Sequence, residues 1–248
     1  MSDNAPTFIC NIVFACPEPP EELGTFYAHL LGWQVLRRDW FVIAPDAETF
    51  PRLAFGDGPG EYRRPRWPDP EHPQQMHVDI AVPEVDAFGD LALSLGATLL
   101  QDKGSYRTYA DPAGHPFCVH GQSSSSIAVA PQISHIVVDC FSPRALAGFY
   151  EQLLGMRRES DTAEWVVIGR GGESELKLAF QHAIFPAARW PDPAFPQQLH
   201  IDLHAEDGDA AQGLALRLGA IPLRPMGGGC PAFADPAAHP FCLCSPGR

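Results

Sequence analysis

Half of this chain is written twice. Arg66-Trp67-Pro68-Asp69-Pro70, then Pro73-Gln74-Gln75-Met76-His77-Val78-Asp79, returns as Arg189-Trp190-Pro191-Asp192-Pro193, then Pro196-Gln197-Gln198-Leu199-His200-Ile201-Asp202. Asp111-Pro112-Ala113-Gly114-His115-Pro116-Phe117-Cys118 returns as Asp235-Pro236-Ala237-Ala238-His239-Pro240-Phe241-Cys242. The shift is 123 positions at His77/His200 and 124 at His115/His239. A repeat of that length is a complete folded unit, since solenoid repeats run about 20–50 residues. The chain must therefore build one architecture twice and join the copies.

Gly121-Gln122-Ser123-Ser124-Ser125-Ser126 is small and polar, which suits a connector. The expected division is a domain over 1–121, a linker over 122–130 and a second domain over 131–248. Each half alternates elements in the same order. Phe8 to Cys16 is an apolar strand, and Glu21 to Leu31 places Leu23, Phe26, Tyr27, Leu30 and Leu31 along one helical face, stopped by Gly32. Further strands are read at Trp40–Ala44, Arg52–Phe55 and Met76–Val82, a second helix at Val85–Leu95, and three short strands up to His120. The second half repeats this, from the strand Ile133–Cys140 to the strand Pro240–Cys244. Periodicity supports an α+β class and leaves strand pairing open.

Composition narrows the partners. With 30 acidic against 17 basic residues the net charge is -13, which argues against nucleic acid or an anionic membrane as a partner. No apolar run is long enough to span a bilayer and the first residues lack a signal core, so a cytoplasmic location is expected. Seven cysteines, an odd number, read as reduced thiols. Gly169-Arg170-Gly171-Gly172 and Gly227-Gly228-Gly229 lack the lysine and helix start of a phosphate loop, and Ser123–Ser126 lacks the setting of a nucleophile elbow.

Phe26-Tyr27-Ala28-His29-Leu30-Leu31-Gly32-Trp33 and Phe149-Tyr150-Glu151-Gln152-Leu153-Leu154-Gly155-Met156 resemble the first-helix signature of the glyoxalase/bleomycin-resistance (vicinal oxygen chelate) superfamily. The Asp-Pro-Ala-Gly/Ala-His-Pro-Phe tracts resemble its turn into the last strand, and the resemblance covers both halves. It implies a tandem duplication of glyoxalase-like domains, each of two βαβββ units curling into an incomplete barrel. It also implies metal ligands on a first strand, a fifth strand and a final strand. In the second domain these positions hold His135, His200 and, where a glutamate is usual, Cys242; in the first they hold Asn11, His77 and Cys118. The better set thus falls in domain 2, and the cofactor expectation is either none or one divalent metal there, zinc or iron.

Read from chemistry alone, two imidazoles and a thiolate suit zinc, whereas iron(II) oxygenases use two histidines and a carboxylate. Strand alternation puts His200, Asp202 and His204 on one face and Cys242 with Cys244 on another. His200, Asp202 and His77 are the candidate catalytic groups. Trp67, Trp190, Gln75 and Gln198, from the repeated loops, are candidate ligand contacts. Each has a plainer reading: the cysteines as core filler, His115 and His239 as turn anchors, and the indoles as staples of a loop. The leading functional expectation is binding of a small apolar or aromatic metabolite in a barrel cavity. The alternatives are a metal-dependent lyase or isomerase, or an extradiol-type dioxygenase, with its site in domain 2, and a scaffold whose cavities do nothing. A monomer or a homodimer is compatible with either.

Overall fold

The computed structural model describes residues 7–56, 62–67, 69, 75–122, 130–172, 175–184, 198–224 and 229–245. Most of the connector (123–129), the loop holding Trp190, and Gly227 with Gly228 lie outside the described residues. The first half runs β1 (Phe8–Ala15), α1 (Pro20–Leu31), β2 (Gln34–Arg37), β3 (Phe41–Ala44), β4 (Arg52–Gly56), β5 (Met76–Val82), α2 (Val85–Ser94), β6 (Thr98–Asp102), β7 (Tyr106–Ala110) and β8 (Pro116–Gly121). The second runs β9 (Gln132–Cys140), α3 (Pro143–Leu154), β10 (Arg157–Asp161), β11 (Trp165–Gly169), β12 (Lys177–His182), β13 (Leu199–His204), α4 (Gly208–Arg217), β14 (Ile221–Pro222), β15 (Ala232–Ala234) and β16 (Pro240–Cys244). The expected α+β duplication of βαβββ units is what forms.

Strand pairing, which periodicity left open, crosses between the halves. The first sheet has the order β14-β15-β16-β13-β1-β4-β3-β2 and the second β10-β11-β12-β9-β5-β8-β7-β6. Each eight-stranded curved sheet thus takes one βαβββ unit from each half, joined through antiparallel β1–β13 or β5–β9. The concave face of each sheet is therefore shared between halves; the sequence had suggested a cavity within each half. The seam between the sheets is a reciprocal clasp. Gln75 N–H donates to Gln198 Oε1 at 3.0 Å, and Gln198 N–H donates to Gln75 Oε1 at 3.2 Å.

Alternation along the strands sorts the faces. Met76, Val78, Ile80 and Val82 of β5 turn toward the main core beneath the helices, with Phe117 and Val119 of β8 and Ile136 and Val138 of β9. His77 and Asp79 point the other way, into the concave face. Helix α1 begins with proline and two glutamates in its first turn and ends at left-handed Gly32 (φ 68°), whose neighbour Trp33 donates back to Ala28 O. Its buried face includes Tyr27, whose hydroxyl donates to Asp111 Oδ2 at 3.0 Å. Asp111 also receives His115 N–H and faces its Nδ1 at 3.0 Å, so a fully buried Tyr–Asp–His trio ties the turn before β8 to α1. Tyr150, Asp235 and His239 repeat it. His115 and His239 are therefore turn anchors. The burial penalty on a charged His239 is outweighed by Asp235, which raises its pKa. No helix among the described residues is long and apolar enough to cross a membrane.

Candidate functional site

The concave face of the second sheet encloses a cavity of about 470 Å³ lined by Trp67, His77, Asp79, Gln101, Ser105, Tyr106, Thr108, Cys118, His120, Trp165 and Gln181. Its two walls come from different halves. Trp165 and Gln181 stand opposite each other on β11 and β12, while Tyr106 and Thr108 rise from β7. Trp67 comes from the loop before β5. The floor is the central strands, where β5 lies between β8 and β9.

Floor chemistry centres on Asp79. His77 Nε2 lies 3.4 Å from Asp79 Oδ1, and His135 Nδ1 lies 3.8 Å from Asp79 Oδ2, directly across the β5–β9 pair. Ligand atoms of His77, Asp79 and Cys118 fall within 4.8 Å of one another, as do those of Asp79, His120 and His135. Burial opposes a charged His77, but the Asp79 carboxylate and the Cys118 sulfur outweigh it and lift its pKa to about 10. Burial would likewise raise the Asp79 carboxyl; His77, His135 and His120 instead hold it below its ordinary range. At His135 burial prevails and the pKa falls. The floor therefore offers an imidazolium–carboxylate pair beside a neutral imidazole at neutral pH. Two buried atoms there, His77 Nδ1 and Asp79 Oδ1, have no hydrogen-bond partner among the described residues.

The corresponding face of the first sheet keeps only part of this. His200 Nε2 lies 3.4 Å from Asp202 Oδ1, and Cys242 joins them within 4.8 Å. Where the second sheet has His135, this one has Asn11, whose amide donates to Asp202 Oδ2 at 2.9 Å. Burial would raise the Asp202 carboxyl, but His200 first and then Asn11 hold it low. Burial pushes the Cys10 thiol up to about 12, and burial together with Asp202 pushes Cys242 higher still, so neither is a thiolate at neutral pH. Cys244 is bonded to Cys230, which corrects the expectation that all seven cysteines are reduced; the other five are free.

These positions revise the sequence reading of the site. His135 does not meet His200 and Cys242: it belongs to the second sheet, they to the first, because β9 pairs with β5 and not with β13. The richer cluster is consequently not a property of domain 2, since its His77, Asp79, Cys118 and His120 come from the first half. Gln75 and Gln198 are buried in the inter-sheet clasp, where each side-chain oxygen receives the other's backbone N–H, and neither is among the residues lining the cavity. Trp67 does line it; Trp190 lies outside the described residues. His204 sits at the end of β13, 3.6 Å from Glu206 and against the ring of Phe8. His120, Tyr106, Trp165 and Gln181 were not anticipated. Alternation from Cys118 would have found His120, but the others needed the pairing of strands from opposite halves.

The sequence matches the glyoxalase-like domain family twice, over residues 11–120 and 135–244. The chain is a two-domain member of that family and of the vicinal oxygen chelate superfamily. Its fold resembles glyoxalase I from Zea mays, with a TM-score of 0.67 at 15% identity over 96% of this chain and 92% of that one. A Bacillus subtilis protein provisionally assigned as a dioxygenase gives 0.63 at 14% identity, covering 97% and 85%. At such identities the likeness concerns the fold. No curated protein matches the sequence significantly.

Proposed function

We propose that this glyoxalase-like protein binds a small, flat, largely apolar molecule in the hollow of the second sheet. The observation that carries this reading is the cavity itself, with aromatic side chains from both arms of one curved sheet above a cluster of ionisable groups on its floor. Pockets for small ligands have that make-up: apolar surface for burial and a few convergent polar groups for orientation. Trp165 and Tyr106 would flank the ligand plane, Gln101 and Gln181 would meet polar edges, and His135 or the His77–Asp79 pair would receive an acidic or carbonyl oxygen.

Titration of the purified protein with planar aromatic acids, phenols and quinones, followed by Trp fluorescence, tests this. Saturable quenching is expected, with affinity lowered roughly tenfold in Trp165→Ala, the loss of about one aromatic contact. Binding that ignores both Trp165→Ala and Asp79→Ala, or no binding across the panel, overturns it.

A second reading, metal-assisted turnover of such a ligand, is favoured by one observation: in the floor His77 Nδ1 makes no hydrogen bond among the described residues, and Asp79 Oδ1 has only the 3.4 Å approach of His77 Nε2. Asp79, His120 and His135 form a two-histidine, one-carboxylate set, which fits zinc or iron(II) and draws from β5 the carboxylate that Cys118 does not supply. The first sheet fits less well, because the Asn11 amide already engages Asp202. When bound, a divalent ion supplies Lewis-acid polarisation of a ligand oxygen. The protein's own part is to orient that oxygen between the aromatic walls and to keep water out. Metal analysis after purification without chelator separates the readings: stoichiometric metal lost in Asp79→Ala supports the second, and metal-free protein that still binds the aromatic probe supports the first alone.

A further inference from the structure

Ser134 stands on β9 within hydrogen-bond reach of two histidines beside Asp79. Its side-chain oxygen lies 3.0 Å from His120 Nε2, 3.1 Å from His135 Nδ1 and 3.2 Å from the backbone oxygen of Asp79. A hydroxyl has one hydrogen and two lone pairs, so three neighbours at these distances leave few arrangements.

His120 fixes the first step. Its Nδ1 lies 3.0 Å from Gly121 O, and a carbonyl oxygen only accepts, so Nδ1 carries a proton. If His120 is neutral, its Nε2 takes the Ser134 hydrogen. If it is charged, Nε2 donates, and the Ser134 hydrogen turns to Asp79 O. In both arrangements a Ser134 lone pair is left facing His135, whose Nδ1 must then donate. The reverse assignment would aim an Nδ1 lone pair at the Asp79 carboxylate, 3.8 Å away. With the proton on Nδ1, the lone pair of His135 sits on Nε2.

We propose that Ser134 is a positioning residue that holds His135 as the Nδ1–H tautomer, leaving Nε2 to receive a proton or an electrophile beside the Asp79 floor. A second observation supports treating the group as one device. At the matching positions of the first sheet, Ser134, His135 and His120 are replaced together by Cys10, Asn11 and Cys244. Cys10 repeats the link to the neighbouring strand, its thiol donating to Asp202 O at 3.3 Å, yet no imidazole is left to orient. A serine that merely stitched β9 to β5 would have no reason to come and go with the two histidines.

This inference rests on the hollow being the ligand site, but its test does not. Two-dimensional NMR of protein labelled with ¹⁵N at histidine reads the tautomer of each ring directly. For His135 the expected pattern is a protonated Nδ1 and an unprotonated Nε2. Ser134→Ala should shift the ring toward the Nε2–H form, and Ser134→Thr, which restores the hydroxyl, should return it. An Nε2–H tautomer in the native protein, or a Ser134→Ala spectrum with His135 unchanged, overturns the assignment. If Ser134→Ala proves unfolded, Ser134→Thr and Ser134→Cys still decide, since threonine must keep the native tautomer and cysteine, a weaker acceptor, must lose part of it. Failure of the ligand panel with the native tautomer in place would remove the binding reading and leave this one standing.

Discussion

His200, Asp202 and Cys242 floor the first sheet, and His77, Asp79 and Cys118 floor the second; around these matching floors the walls diverge. In the first sheet Asn11 ties Asp202 down and Cys244 is joined to Cys230. In the second the matching residues are His135 across the floor and His120 paired in register with Tyr106. Trp40 and Trp165 occupy like places on β3's leading edge and β11. Trp40 lies over Gly56, where an added Cβ would come within 3.1 Å of its indole nitrogen, whereas Trp165 faces Gln181. Both indoles pack on the strands beneath them, Trp40 against Val13, Val42 and Ala54 and Trp165 against Val137, Val167 and Ala179. Duplication thus preserved the fold and the His–Asp–Cys floor, while substitutions at a handful of positions left one sheet with a disulfide at its end and the other with a hollow.

The largest expected effect concerns the charged floor of the open hollow. His77 holds its proton more tightly in the folded protein, with a pKa of about 10 against 6.5 for an ordinary histidine. Its contribution to stability is then complete below pH 6.5 and is lost as pH rises through about 10. The amount is about 5 kcal/mol at most. Urea unfolding at neutral and alkaline pH should show this decline in the native protein and a flatter profile in His77→Gln. Equal slopes in the two would mean that the floor carries no such charge.

Next in size is the cross-link. Cys230 and Cys244 are 14 residues apart, and closing a loop of that length stabilises a chain by about 3 kcal/mol. The double variant Cys230→Ser/Cys244→Ser should lower the urea midpoint by a matching amount without altering aromatic-ligand affinity, because the bond lies in the other sheet. A change in affinity would show that the two sheets are coupled, and would break the division of labour argued from their floors.

How much of this was written in the sequence follows from the range of each interaction. Helix α1 was legible because Leu23, Phe26, Tyr27 and Leu30 repeat at helical spacing and Gly32 ends it, all within one short segment. His77 and Asp79 were legible as one-face neighbours because strand alternation is local. The union of β5 with β9 was not, since antiparallel pairing across 50 or more residues leaves no periodic trace, and Asp79 opposite His135 is a fact of register alone. The same gap explains the misassembled trio of His135, His200 and Cys242: each residue was sensibly chosen, and the sheet to which each belonged was not deducible. Gln75 and Gln198 show the converse. Their repetition was real, but it reflects a symmetric clasp between sheets rather than two copies of a ligand contact.

The smallest expected effect compares the two halves at a single turn. Gly114 has φ 100° and its counterpart Ala238 has φ 70°, both in the left-handed region just before the anchored histidine. An L-residue there costs about 1–2 kcal/mol, and glycine gives back roughly 0.5–1 kcal/mol through its freer unfolded state. Ala238→Gly should therefore stabilise the protein by somewhat under 1 kcal/mol, measurable as a small rise in urea midpoint. The reverse change is not its mirror image. A Cβ on Gly114 would press into the side chain of Arg64 and come within 3.0 Å of Pro65 O, so Gly114→Ala should lose more than Ala238→Gly gains. If the two substitutions instead proved equal and opposite, the loop carrying Arg64 and Trp67 would not be packed against this turn, and the placement of Trp67 at the mouth of the open hollow would lose its support.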